Sequence, residues 1–83
     1  MSEALAPWLD ARLAQAPPAL AAEIRRAVHV ARCTLHDLEQ AAERLMREAQ
    51  STASGRPGAL TLLAADALTT LAHEWRAGGR GAD

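Results

Sequence analysis

The chain contains no lysine, phenylalanine or tyrosine, and only one cysteine. Each absence removes a class of protein. A single cysteine, Cys33, rules out an intrachain disulfide framework. The missing phenylalanines and tyrosines leave a bulky core to be made from leucines, Ile24, Val28, Met46, Trp8 and Trp75. No apolar run approaches the roughly 20 residues that span a bilayer. The opening residues Met1, Ser2, Glu3 and Ala4 lack the basic and apolar regions of a secretion signal, so a cytoplasmic protein without membrane association is expected. Neither sign of charge predominates: nine basic residues, all arginine, stand against ten acidic ones, a net charge of −1. That balance argues against a general polyanion binder, so nucleic acid is not an expected partner. Arginine and alanine without lysine is the composition of a GC-rich bacterial genome.

What is present is helical. Alanine is abundant, β-branched residues are few and scattered, and no β-alternation appears. With 83 residues the chain is one domain, small enough to gain from a partner subunit. The expected fold is an all-α small helical bundle: a short first helix, one long central helix and a third helix folded back. The expected helices cover residues 3–16, 18–50 and 57–77, with a tail at 78–83. Leu5, Leu9 and Leu13 mark the first, with Ser2 or Ala6-Pro7 opening it and Pro17-Pro18 ending it.

Leu20, Ile24, Val28, Ala31, Leu35, Leu38, Ala42, Leu45 and Ala49 recur every three or four residues without a phase shift. One helix through them would be roughly 50 Å long. A break at Thr34, with Thr34 and Asp37 as a capping pair, is the competing reading. The unbroken phase, and the lack of glycine or proline there, favour one continuous helix. Residues 51–58 read as a loop. Leu60, Leu63, Ala64, Ala67, Leu68, Leu71 and Trp75 then form the buried stripe of the third helix, which Gly78-Gly79 should end. Both tryptophans should be core, and the regions that bear them should both arrive near the middle of the long helix, around residues 27–32. A short helix and an intermediate one leave part of the long stripe uncovered. Pairing of two chains through Leu20, Ile24, Val28, Leu35, Leu38 and Leu45 would complete the core, so a homo-oligomer, in particular a dimer, is expected.

Three residues carry the sharpest chemical possibility. On one continuous helix His29, Cys33 and His36 would share a face opposite the leucine stripe. Imidazole and thiolate suit a zinc-like metal ion, with Asp37 and Gln40 close by and His73 too far to help. A polar surface stripe is the plainer reading, since a straight helix rarely aims three ligands at one ion. Cys33 alone, accessible and near Arg26 and Arg32, would suit a redox switch. The arginines of the long helix are interleaved with Glu23, Asp37, Glu39, Glu43 and Glu48, which makes a solvated charged face.

Catalytic constellations are missing: His36-Asp37 and His73-Glu74 are neighbours that diverge on a helix, and Gly55-Arg56-Pro57-Gly58 lacks the Lys-Ser/Thr pair of a phosphate loop. Residues 56–65, RPGALTLLAA, resemble a short helical stretch of polyprenyl synthases, but the aspartate-rich motifs of that family are absent, so its activity is not expected here. The expected function is a non-enzymatic helical protein-protein interaction or oligomerisation module, a small regulatory or adaptor subunit being one form of it. Leu62 and Val30 lie off the main stripes and are candidate contacts. The alternatives are a metal- or redox-responsive sensor using His29, Cys33 and His36, and a small nucleic-acid-associated protein. No resident cofactor is expected.

Overall fold

A computed structural model describes residues 4–51 and 56–80. The expected boundary at residue 3, residues 52–55 and residues 81–83 lie outside them, while Ser51 and residues 56–58 of the expected 51–58 loop are helical. The chain is an all-α bundle about 45 Å long and 21 × 19 Å across. Its α-helices are α1 (Leu5–Ala14), α2 (Pro18–Ala27), α3 (Leu35–Ser51) and α4 (Arg56–Trp75). A 3₁₀ turn, Val30–Arg32, joins α2 to α3. A π-helical turn, Arg76–Arg80, follows α4 and carries the chain through Gly78-Gly79, where a stop was expected.

The ends of α1 and α2 follow from proline chemistry. Pro7 sits in the first turn of α1, where no N–H is needed. Gln15 and Ala16 close that helix by donating to the carbonyls of Arg12 and Leu13, both at 3.1 Å. Pro18 then occupies the first position of α2, with its fixed φ already helical.

The central helix is two helices, which corrects the continuous reading of residues 18–50. α-Helical bonding ends where the Val28 N–H donates to the Ile24 carbonyl at 3.0 Å, and Val28 is itself extended, with φ −133° and ψ 149°. It resumes where Leu38 N–H donates to the Thr34 carbonyl at 3.1 Å. Thr34 and Asp37 cap the new start reciprocally: Asp37 N–H donates to Thr34 Oγ1 at 3.2 Å, and Thr34 N–H donates to Asp37 Oδ2 at 2.9 Å. On the other side Arg44 donates to the Ala27 carbonyl at 2.6 Å, satisfying an end group of α2. His29, Val30, Cys33 and Thr34 are middling helix formers, so bending here forfeits little intrinsic propensity.

The hydrophobic phase runs through the bend because both halves face the same helix. α3 and α4 form the principal pair, and α2 packs against α4 as well. α1 crosses α2 and rests on the 3₁₀ turn. One core results, containing Leu9, Leu13, Ile24, Leu35, Leu38, Leu45, Leu68 and Trp75, with Trp8 and Val30 half-buried against it. The tryptophan rings meet with centroids 5.1 Å apart and planes at 58°, a tilted contact favoured by ring quadrupoles. Arg12 lies over the Trp8 ring at 5.4 Å and donates to Glu74, pinning α1 to α4. No helix among the described residues is long and apolar enough to cross a membrane.

Candidate interaction surface

The bend changes what each expected site residue can do. Ile24, Val28, Leu35, Leu38 and Leu45 are buried within a single chain, and Leu20 is half-buried. The stripe expected to pair two chains is therefore covered by the chain's own α4 and α1, and it offers no open seam. Folding the stripe at residues 28–34 shortens it enough for the remaining helices to cover.

His29, Cys33 and His36 no longer share a helix face, which corrects the geometry that suggested a metal or redox site. His29 precedes the 3₁₀ turn and is exposed, as is His36 on α3. Cys33 points inward and is 8% exposed. Burial pushes its thiol pKa up, and the Asp37 charge adds to the rise, the reverse of what an activated thiolate needs. Among the described residues, no group of three or more His, Cys, Asp or Glu side chains is gathered for a metal ion.

Arginines hold the bundle's edges together. Arg25 donates to Asp10 at 2.9 Å, linking α2 to α1. Arg26 reaches Glu23 at 2.6 Å and Glu48 of α3 at 3.2 Å. Arg76 pairs with Glu39, and Arg47 lies 3.6 Å from Glu43. With Arg12 on Glu74, five of the described arginines face carboxylates, which lowers the positive field any polyanion would meet. Exposed pairs of this kind contribute only about 0–1 kcal/mol each, so they orient helices more than they stabilise them.

Glu23 is the best shielded of these carboxylates, its side chain only 14% exposed. Its pKa is held down first by the Arg26 hydrogen bond, against the opposing effect of burial, while Thr61 donates to it at 3.4 Å. The Arg12 hydrogen bond lowers Glu74 likewise. A folded-state pKa below the unfolded value of about 4.3 means stability that is present above that pH and lost as pH falls through the folded value. Urea midpoints measured from pH 7 down to about pH 3 should therefore fall, and Glu23→Gln should flatten that acid limb. An equally steep limb in the variant would remove Glu23 from this role.

The least satisfied surface is on α4. Leu62 is 48% exposed and Leu63 is 58% exposed, the exposed large hydrophobics among the described residues. Leu62 was an expected contact. Leu63 was expected in the buried stripe, and its exposure is a correction. Adjacent helical residues diverge by about 100°, and burial of Thr61, Ala64, Ala65 and Leu68 turns both leucines outward.

A shallow groove lies on each side of α4. Toward α3, a hollow of about 440 Å³ has Ala42, Met46 and Ala72 as its apolar lining, with Glu39, Glu43 and His73 at the rim. Toward α1 and α2, a hollow of about 350 Å³ is lined by Leu13, Leu20, Ala67 and Leu71, with Arg12 and Thr70 beside it. Sequence periodicity cannot find these grooves, because they depend on which helices become neighbours. Neither contains a nucleophile held by a base, and Glu74, beside His73 in the chain, is engaged by Arg12. Apolar contact with another helical surface is what this arrangement suits. No protein-family model, curated protein or solved structure matches the chain.

Proposed function

We propose that the protein is a non-enzymatic helical interaction module that self-associates in the cytoplasm through the outer face of α4. The observation that carries this reading is the side-by-side exposure of Leu62 and Leu63. Single exposed leucines are ordinary, but two successive ones, about 100° apart, leave a broad outer sector of α4 apolar. A second copy is the chosen occupant for two reasons. The net charge of −1 gives two copies little mutual repulsion. A two-fold axis through this face would also set each leucine pair against its own mate.

The patch is far smaller than the roughly 800 Å² per partner of a standard stable interface. The pairing should therefore be reversible, with a Kd on the order of micromolar or weaker. Sedimentation equilibrium from about 10 μM to about 1 mM tests it. The average mass should rise above the 8.8 kDa chain mass with concentration. The exposed-site variant Leu62→Ser/Leu63→Ser should stay at the chain mass with unchanged helicity. A wild-type chain that remains at 8.8 kDa throughout would end the self-association reading.

A further inference from the structure

We infer that residues 28–34 form a hinge through which two copies exchange their α1–α2 halves, giving a domain-swapped dimer built on a continuous helix over residues 18–51. This contact is separate from the α4 pairing and does not depend on it.

The hinge backbone is compatible with straightening. It contains no glycine or proline. Val28 (φ −133°), His29 (φ −85°) and Cys33 (φ −80°) all have negative φ, so rotation mainly in ψ would bring them into the helical region. Val30–Arg32 already turn as a 3₁₀ helix. The flanking hydrophobic phase needs no adjustment either. Counted at about 100° per residue, Ile24, Val28, Leu35, Leu38 and Leu45 stay on one face of a straight helix.

The chemistry of the exposed surfaces selects the partner. Opening the hinge lifts α1 and α2 from α4 and uncovers Leu9, Leu13 and Ile24 on one side and Leu68, Leu71 and Trp75 on the other. The surface complementary to each already exists in this chain, so a second opened copy restores the same core in trans. The Arg26–Glu48 and Thr61–Glu23 contacts would be remade between chains. What differs between the closed monomer and the exchanged dimer is the hinge, with the packing of α1, Val30 and Cys33 at the 3₁₀ turn, and the entropy of association.

Two latches favour the closed form: the Thr34–Asp37 capping pair and the Arg44 bond to the Ala27 carbonyl. A continuous helix uses neither, because the chain then has no helix end there.

Cys33 reports the state. It is buried in the bent chain. On a straight helix it falls about half a turn away from the leucine face and becomes accessible. An α4-paired dimer of closed chains leaves it buried, so the two kinds of dimer are distinguishable.

The test uses the full chain and two variants. Thr34→Ala/Asp37→Ala removes the cap from the monomer only. Two caps per dimer, at about fivefold each, should tighten dimerisation on the order of 25-fold. His29→Pro suits the bent backbone, since Val28 is extended before it and φ at His29 is near the proline value, yet it blocks a continuous helix. Light scattering, thiol titration and circular dichroism should show the capless variant as a dimer with reactive Cys33 and increased helicity. His29→Pro should remain free of that species, and adding it to the capless variant should abolish it. A capless variant that is folded but never dimerises with an accessible thiol would overturn the inference. Equal formation of a dimer with reactive Cys33 by the His29→Pro chain would do so as well. A capless variant that loses helicity would also overturn it, because the straight form would then not compensate for the lost cap.

Discussion

Leu38→Asp should leave the chain unfolded at 25 °C. Leu38 has no exposed surface and lies in the first part of α3, among Leu35, Ala42 and residues of α4. Truncating such a leucine costs about 2–5 kcal/mol. An aspartate adds the cost of burying a carboxylate without a cation, several kcal/mol more even after relaxation. A domain of this length has a total stability of about 4–12 kcal/mol. The new charge would sit in the first turns of α3, where the helix dipole offers about 0.3–1 kcal/mol in its favour. That offset is too small to change the outcome. Far-ultraviolet circular dichroism and the spread of amide proton shifts would measure it. The Leu38→Ala chain should stay folded with a weakened transition. A Leu38→Asp chain melting as cooperatively as the wild type would mean that this side chain is not in the core described. Because Leu38 is buried within one chain, the expected loss is unfolding and not the separation of folded subunits.

The same residue shows what the sequence can reveal. Leucine spacing found the helices at both ends, Leu5–Ala14 for the expected 3–16 and Arg56–Trp75 for the expected 57–77, but merged α2 and α3 into one. Helix existence is a local property of periodicity and proline placement, so it was legible. Of the two tryptophan-bearing regions expected around residues 27–32, α1 rests on the Val30–Arg32 turn, and its Trp8 meets Trp75 of α4. The bend was written in the sequence as Thr34-x-x-Asp37, but a capping pair is a weak signal beside nine in-phase apolar positions. Phase detects a break only when the two halves face different neighbours. Here α2 and α3 both face α4, so the pattern is the same for one helix and for two.

The surface followed from that error. A straight helix puts Cys33 outside and the leucine stripe half-covered; a bent one reverses both. Leu63 belongs to a different kind of miss. A stripe of leucines and alanines at mixed spacing leaves the orientation of α4 open to a rotation of some tens of degrees, and only packing against α3 settles it. Of the candidate surface, Leu62 was legible from its position off the stripe, while the grooves beside it required the tertiary neighbours.

Trp75→Ala should be the most damaging truncation in the chain. Trp75 has no exposed surface and ends α4, where it meets Trp8. Loss of a buried tryptophan to alanine costs about 3–5 kcal/mol, and the lost ring contact contributes roughly 0.5–1.5 kcal/mol of its own in such pairs. Each kcal/mol moves the melting temperature of a domain this size by about 4–8 °C. A fall on the order of 15–30 °C is therefore expected. Trp8→Ala should cost less, because Trp8 is half-buried and part of its area is already in water. The ordering discriminates between two uses of the pair. If the rings serve packing, the penalty follows burial, and Trp75→Phe recovers much of it by restoring most of the buried area. If the rings instead formed a platform for a ligand, both alanine variants would keep near wild-type melting temperatures in the absence of that ligand. Thermal melts of the three variants separate the cases, and a Trp75→Ala melt within about 5 °C of wild type would move the tryptophans from the core to a binding role.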